Sequence, residues 1–168
     1  GEDQNFCGFP DFELNADSPF ADTYEWYADG FIIPGETGPT LTVSGSNTYT
    51  VIAFDEQCDS QAQDSVTINF GQEPVANPVN DMITCDDISA DEIEDFDLEM
   101  QTAGVLGAQV AADFNVTYHL TLTEAQGDTG ALPSPYTNIS NPQTIFVRIE
   151  DANAEFCFAT TSFDLIIS

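Results

Sequence analysis

Residues 23–33 read TYEWYADGFII, and this short stretch decides the class of fold. Tyr24 and Trp26 alternate with Glu25 and Tyr27, a period of two that sets the first pair on one face of an extended strand. Asp29-Gly30 then supplies a two-residue hairpin turn, because both positions tolerate positive φ. Phe31 to Ile33 runs back, and Pro34-Gly35 ends it. Working outward, Phe12 to Leu14 is a short alternating strand and Thr40 to Val43 another. Gly45-Ser46-Asn47 turns the chain into Thr48 to Phe54, the longest strand of this half, and Ser65 to Phe70 closes it. Several short strands separated by turn signals describe a β-sandwich.

The second half is punctuated differently. Residues 71–78, GQEPVANP, are loose and proline-bearing, and residues 80–99, NDMITCDDISADEIEDFDLE, are densely acidic. Phe96 to Leu98 reads as a short strand. Gln101 to Asp113 is rich in small residues and could hold a short helix, against which Gly104 and Gly107 argue. Val116 to Leu122 alternates as a strand, Glu124 to Pro135 is a loop, Thr144 to Ile149 is a strand, and Phe156 to Ile167 supplies one or two more. The expected fold class is all-β: two consecutive β-sandwich modules, 1–73 and 81–168, joined by a linker at 74–80. Pro74 and Pro78 favour an extended spacer with little contact between modules.

The chain has 168 residues, 42% of them hydrophobic, with 13 Phe, which is enough to bury a core. Thirty acidic residues face one basic residue, Arg148, for a formal charge of −29. A field of that sign repels phosphate backbones and anionic lipid, so nucleic acid and direct membrane contact are excluded as partners. No run approaches the ~20 apolar residues of a membrane span. No signal peptide is visible, the chain starts at Gly1, and Ser168 follows an apolar run; a piece of a longer exported protein is expected.

Cys7, Cys58, Cys85 and Cys157 show no zinc-type spacing. Disulfides in an oxidising, extracellular setting fit better. Of the three pairings that four cysteines allow, only Cys7–Cys58 with Cys85–Cys157 keeps each bond inside one module, and that pairing is the expectation. Each bond would close a long loop, worth on the order of 4 kcal/mol in the chain-entropy model.

Two resemblances sharpen this reading. YEWYADG, TLTV and GSNTYTVIAFD resemble the immunoglobulin-like and PKD-like modules of large secreted bacterial proteins, with Trp26 in the place of the core tryptophan of strand C and Tyr49 in that of the tyrosine anchoring strand F. Val51 stands where an antibody domain has its strand-F cysteine. In the second half CDD, FDL, VTYH, PQTIFVRIED, a late cysteine and SFDLII are similar to a repeat of very long exported proteins of gliding and marine Bacteroidetes. The resemblance implies surface adhesins or stalked enzymes exported by the type IX system.

Few motifs carry chemistry. Asp128-Thr129-Gly130 matches the aspartic-protease triplet, but that chemistry needs two such carboxylates, so a turn is expected. His119 has no nucleophile partner in any recognisable motif and reads as structural. Arg148 should pair with a carboxylate at a surface or sheet edge. The acidic run is the best site candidate, since calcium takes six to eight oxygen ligands. The expected set is Asp81, Asp86, Asp87 and Asp97 with Glu150 and Asp151, brought near if Cys85 bonds Cys157; the alternative is a solvated acidic face.

The expected function is a non-catalytic spacer in a long extracellular surface adhesin, presenting a distal binding or catalytic domain and stiffened by calcium. Its partners would be neighbouring modules of the same chain. The alternative is a glycan- or protein-binding module of a surface protein, or an accessory module of a secreted polysaccharide-degrading enzyme.

Overall fold

Residues 1–168 are all described by the computed structural model, and they divide into two compact units, Gly1–Gln72 and Glu73–Ser168. The first unit holds β1 (Gln4–Cys7), β2 (Phe12–Asn15), β3 (Thr23–Ala28), β4 (Phe31–Ile32), β5 (Thr40–Val43), β6 (Asn47–Asp55) and β7 (Ser60–Gly71). They form a five-stranded sheet in the order β1-β7-β6-β3-β4 and a two-stranded sheet β2-β5. The alternation in β3 works as its side chains require: Tyr24 and Trp26 are buried, while Glu25 and Tyr27 are half-buried on the other face. Trp26 stands opposite Val51 on β6, and its indole Nε1 donates to Gly38 O at 2.9 Å. Tyr49, also buried, donates its hydroxyl to Gly45 O at 2.8 Å, four residues upstream. Such a bond locks a strand to the turn before it. The turn at Asp29-Gly30 has φ of 47° and 82°, as a primed hairpin turn demands.

The sequence reading missed β1, which lies parallel to the end of β7, Gln4 facing Ile68 and Cys7 facing Gly71. It also began β7 five residues too late, because Ser60–Ser65 are exposed throughout and show no alternation.

The second unit contains β8 (Met82–Thr84), β9 (Asp95–Phe96), α1 (Thr102–Leu106), β10 (Phe114–His119), α2 (Leu122–Gln126), β11 (Tyr136–Thr137), β12 (Gln143–Asp151) and β13 (Ala154–Ile167). Its main sheet runs β10-β12-β13-β8, and β9 pairs with β11 apart from it. The core is built on β12 and β13, with Ile145, Val147, Ile149 and Leu165 essentially sealed from solvent. The short helix α1 does form where small residues allowed it, with Val105 and Leu106 buried. The strand expected to reach Leu122 stops at His119. Thr121 instead caps α2 through a reciprocal bond with Glu124, the capping box that the loop reading overlooked. Residues 75–79 pack on this unit: Gln109 brackets Val75 through both its main-chain groups, and Asn77 Nδ2 donates to Val105 O at 2.9 Å.

The expected disulfides do not form. Cys58 and Cys85 carry free thiols, and Cys7 and Cys157 are the disulfide-bonded pair. The reason is strand length. Cys7 sits beside Gly71, at the end of β7, whereas Cys58 precedes the strand's first residue, Ser60. Twelve residues of extended chain put them roughly 36 Å apart, and a disulfide needs Cα atoms within about 7 Å. The second unit repeats the pattern. Cys85 follows β8, whose Thr84 is level with Ile167, while Cys157 lies near the start of β13. Each module-local bond would join opposite ends of one long strand.

Candidate functional site

The densest chemistry lies in the loop between β8 and β9. Asp86, Asp87 and Glu94 bring carboxylate oxygens within 4.8 Å of one another. The loop is folded back by its own main chain. Asp87 N donates to Glu94 Oε1 at 2.7 Å, Ser89 N to Asp87 Oδ1 at 2.6 Å, and Glu92 N to Asp86 Oδ2 at 3.2 Å. One oxygen of each carboxylate thus accepts an N–H of the loop, and Asp87 is bonded by the Ser89 side chain as well. The other oxygen of Asp86, Oδ1, is closed off from solvent and accepts no hydrogen bond. The two bonds from Ser89 hold the Asp87 carboxyl below its ordinary pKa, stabilising its charged form. Ala90 and Glu92 take positive φ, 51° and 59°, which closes the loop without a glycine.

The six residues expected to hold calcium are dispersed. Asp86 and Asp87 share this loop. Asp81 Oδ1 instead accepts from Asp164 N at 2.9 Å, beside the start of β8. Asp97 Oδ1 accepts from Ser134 Oγ at 2.8 Å. Glu150 is buried against Arg148, and Asp151 Oδ1 accepts from Asn153 N in the turn between β12 and β13. Glu94, which the sequence reading left out, is the third member of the cluster. No local signal marks it: the approach depends on positive φ at two residues that are neither Gly nor Asn.

Two other sequence candidates are structural. His119 is fully buried, its Nδ1 2.7 Å from Thr129 O and its Nε2 2.9 Å from Thr117 Oγ1. Asp128-Thr129-Gly130 is the turn supplying that carbonyl, with Asp128 at φ 48° and Gly130 at φ 64°. Arg148 is not at a surface. It is buried, because α2 covers the face of β12 that period-two reasoning left open to solvent.

No helix is long and apolar enough to cross a membrane. No curated protein matches the chain. Among solved structures, the extracellular domains 3–5 of Drosophila OTK match at TM-score 0.53 and 11% identity, over 99% of this chain and 59% of that one. Immunoglobulin domains 1–5 of Sidekick-1 match at TM-score 0.52 and 10% identity, over 99% of this chain and 37% of that one. The chain thus spans between about a third and three fifths of those structures, and at such identity the likeness is one of fold: all-β and immunoglobulin-like. The family model described as the Flavobacterium inter-domain disulphide bond domain matches residues 81–168, more than half of the chain, and the chain belongs to that family.

Proposed function

We propose that this chain is a non-catalytic structural segment of a long extracellular surface protein, in which a disulfide between Cys7 and Cys157 ties one immunoglobulin-like unit to the next. The observation that carries the reading is the placement of the two bonded cysteines: Cys7 belongs to Gly1–Gln72 and Cys157 to Glu73–Ser168. A bond so placed joins a residue of one unit to a residue of the other rather than two strands of the same unit. It restricts how far the units separate, which is what a segment under tension, or one that presents another domain, needs. The family's description, with its inter-domain disulphide, supports the same role. A disulfide also fits an oxidising, extracellular setting. The parent protein would be an adhesin-type surface protein of a gliding Bacteroidetes cell, exported by the type IX system. Its immediate partners would be neighbouring modules.

Calcium belongs to the same proposal, with its ligands reduced to Asp86, Asp87 and Glu94. Their clustered carboxylate oxygens, completed by water, suit a hard cation that takes oxygen ligands, and a cation there would offset the mutual repulsion of three carboxylates.

The test is replacement in the parent protein. The segment is exchanged for an unrelated immunoglobulin-like tandem with its own inter-unit disulfide, and surface display and adhesion are measured. A spacer is replaceable, so both should survive exchange and fall on deletion. Adhesion lost on exchange while display persists would overturn the spacer reading in favour of a binding module.

A further inference from the structure

The first unit carries an open cleft of about 460 Å3, within the roughly 300–1,000 Å3 span of ligand clefts. Its walls say where it lies. Consecutive residues 12–18, from β2 and the turn after it, line one side, and consecutive residues 62–66 of β7 line the other; β5 contributes none. A cavity trapped between two sheet faces would meet every second residue of each strand, because side chains alternate. Lining by consecutive residues marks a cleft that runs along strand edges.

The topology agrees. β2 pairs only with β5, whereas the edge of β7 is covered by β1 from Ile68 onward and by Asp3, whose Oδ1 accepts from Thr67 N at 2.8 Å. Ala16 donates its N–H to Pro39 O. The alternation of an antiparallel ladder then turns the main-chain groups of Glu13 and Asn15 away from β5, toward the cleft. Exposed edges of this kind are templates for another strand.

The cleft also has a chemical character. Leu14, Trp26, Val51 and Ala53 make an apolar floor, and Glu13, Asp17 and Asp64 stand around it with no basic side chain among the lining residues. A second copy of this chain is a poor occupant, since it offers one basic side chain, Arg148, which is buried.

We propose that this cleft binds an extended cationic segment of a partner protein, added as a strand to the free edge of β2. Alternate apolar side chains of that segment point to Trp26 and Val51. Its lysines or arginines meet Glu13 and Asp17, and its main chain pairs with Glu13 and Asn15. Strand addition of this type takes affinity from main-chain bonds and specificity from the alternating side chains.

The experiment uses the full chain and the acetylated, amidated peptide VKVKVKV, with binding followed by calorimetry. Comparators are VEVEVEV and two VKVKVKV analogues methylated at every second amide, one in each phase. The expected result is saturable binding of VKVKVKV, none of VEVEVEV, and affinity at least about tenfold lower for the one methylated analogue whose missing donors face β2, the effect of losing one or two main-chain hydrogen bonds. Ala62→Trp, which fills the cleft from an exposed position, should abolish binding while leaving the circular dichroism spectrum unchanged. Equal affinity for VKVKVKV and both methylated analogues would overturn the proposal, because charge attraction anywhere on an acidic surface would then explain it. So would the absence of any binding, or unchanged binding by a folded Ala62→Trp variant.

Discussion

Arg148 Nε donates to Glu150 Oε2 at 2.6 Å, and both side chains are buried. The rest of the guanidinium is used as fully. Nη1 donates to Ala125 O and Gln126 O at the end of α2, Nη2 donates to Glu155 O at 2.7 Å, and the group lies 3.9 Å over the ring of Phe158. The only basic side chain of the molecule therefore binds α2, β12 and β13 together. Arg148→Met should destabilise the second unit by about 3–5 kcal/mol, because it leaves Glu150 buried and unpaired. Arg148→Lys should recover little, since an ammonium cannot serve the same fork of acceptors. Arg148→Met with Glu150→Leu should recover most of the loss. Urea unfolding of the three variants decides this; a loss under about 1 kcal/mol for Arg148→Met would show the pair to be dispensable.

Gly104 lies inside α1, where a β-carbon would come within 2.8 Å of Val79 Cγ1. Alanine is the better helix former by about 1 kcal/mol, but overpacking of this kind costs about 1–3 kcal/mol. Gly104→Ala should therefore destabilise the wild type and stabilise a Val79→Ala background. A double-mutant cycle by thermal unfolding reads the sign change directly, and the same sign in both backgrounds would refute the packing argument.

At the β6–β7 hairpin tip, Asp55 Oδ1 accepts from Gln57 N at 2.9 Å and from Cys58 N at 3.0 Å. The main-chain bond from Cys58 is the largest influence holding the Asp55 carboxyl below its ordinary pKa, and the same carboxylate raises the pKa of the Cys58 thiol through a side-chain hydrogen bond. The thiolate is the reactive form. Asp55→Asn should thus speed alkylation of Cys58 severalfold at pH 8, with Cys85, the other free thiol, as reference in the same sample. The sign with pH follows from the depressed carboxyl. Its contribution to the hairpin is complete above the ordinary carboxylate range near pH 4 and is lost as pH falls through the lower folded value. Amide-exchange protection at Gln57 and Cys58 should distinguish wild type from Asp55→Asn at pH 6 and converge at strongly acidic pH.

Calcium should raise the thermal midpoint of the second unit more than matched magnesium or sodium does. Magnesium demands a tighter octahedron and gives up its waters reluctantly, and sodium acts mainly by screening. Binding to the folded form alone would add about 2.7 kcal/mol at a hundredfold excess over Kd. Asp86→Asn with Glu94→Gln should remove the calcium-specific part. Equal responses to all three salts would reduce the cluster to a solvated acidic face.

Much of the first unit was legible because its signals are local. The alternation of Tyr24 and Trp26, the Asp29-Gly30 turn and the turn ahead of Tyr49 each act within a few residues, and each forms as read. The same holds for β12, whose apolar run needs only its own β-branched residues. Where two local signals competed, the reading failed: Leu122 fits the alternation of β10, yet the Thr121–Glu124 box takes it into α2.

The sequence alone determined that the chain is all-β, strongly acidic and without the basic surface that nucleic acid requires, because composition and period-two patterning do not depend on which parts meet. Tertiary structure alone decided which cysteines bond, that Arg148 is buried, and that Glu94 joins Asp86 and Asp87. The physical reason is length and direction. Counting residues places Cys58 and Cys7 in the same module, but only the register of β1 on β7 shows them at opposite ends of a strand roughly 36 Å long. Spacing along a chain limits how far apart two groups can be; the fold decides which of them come within a bond length.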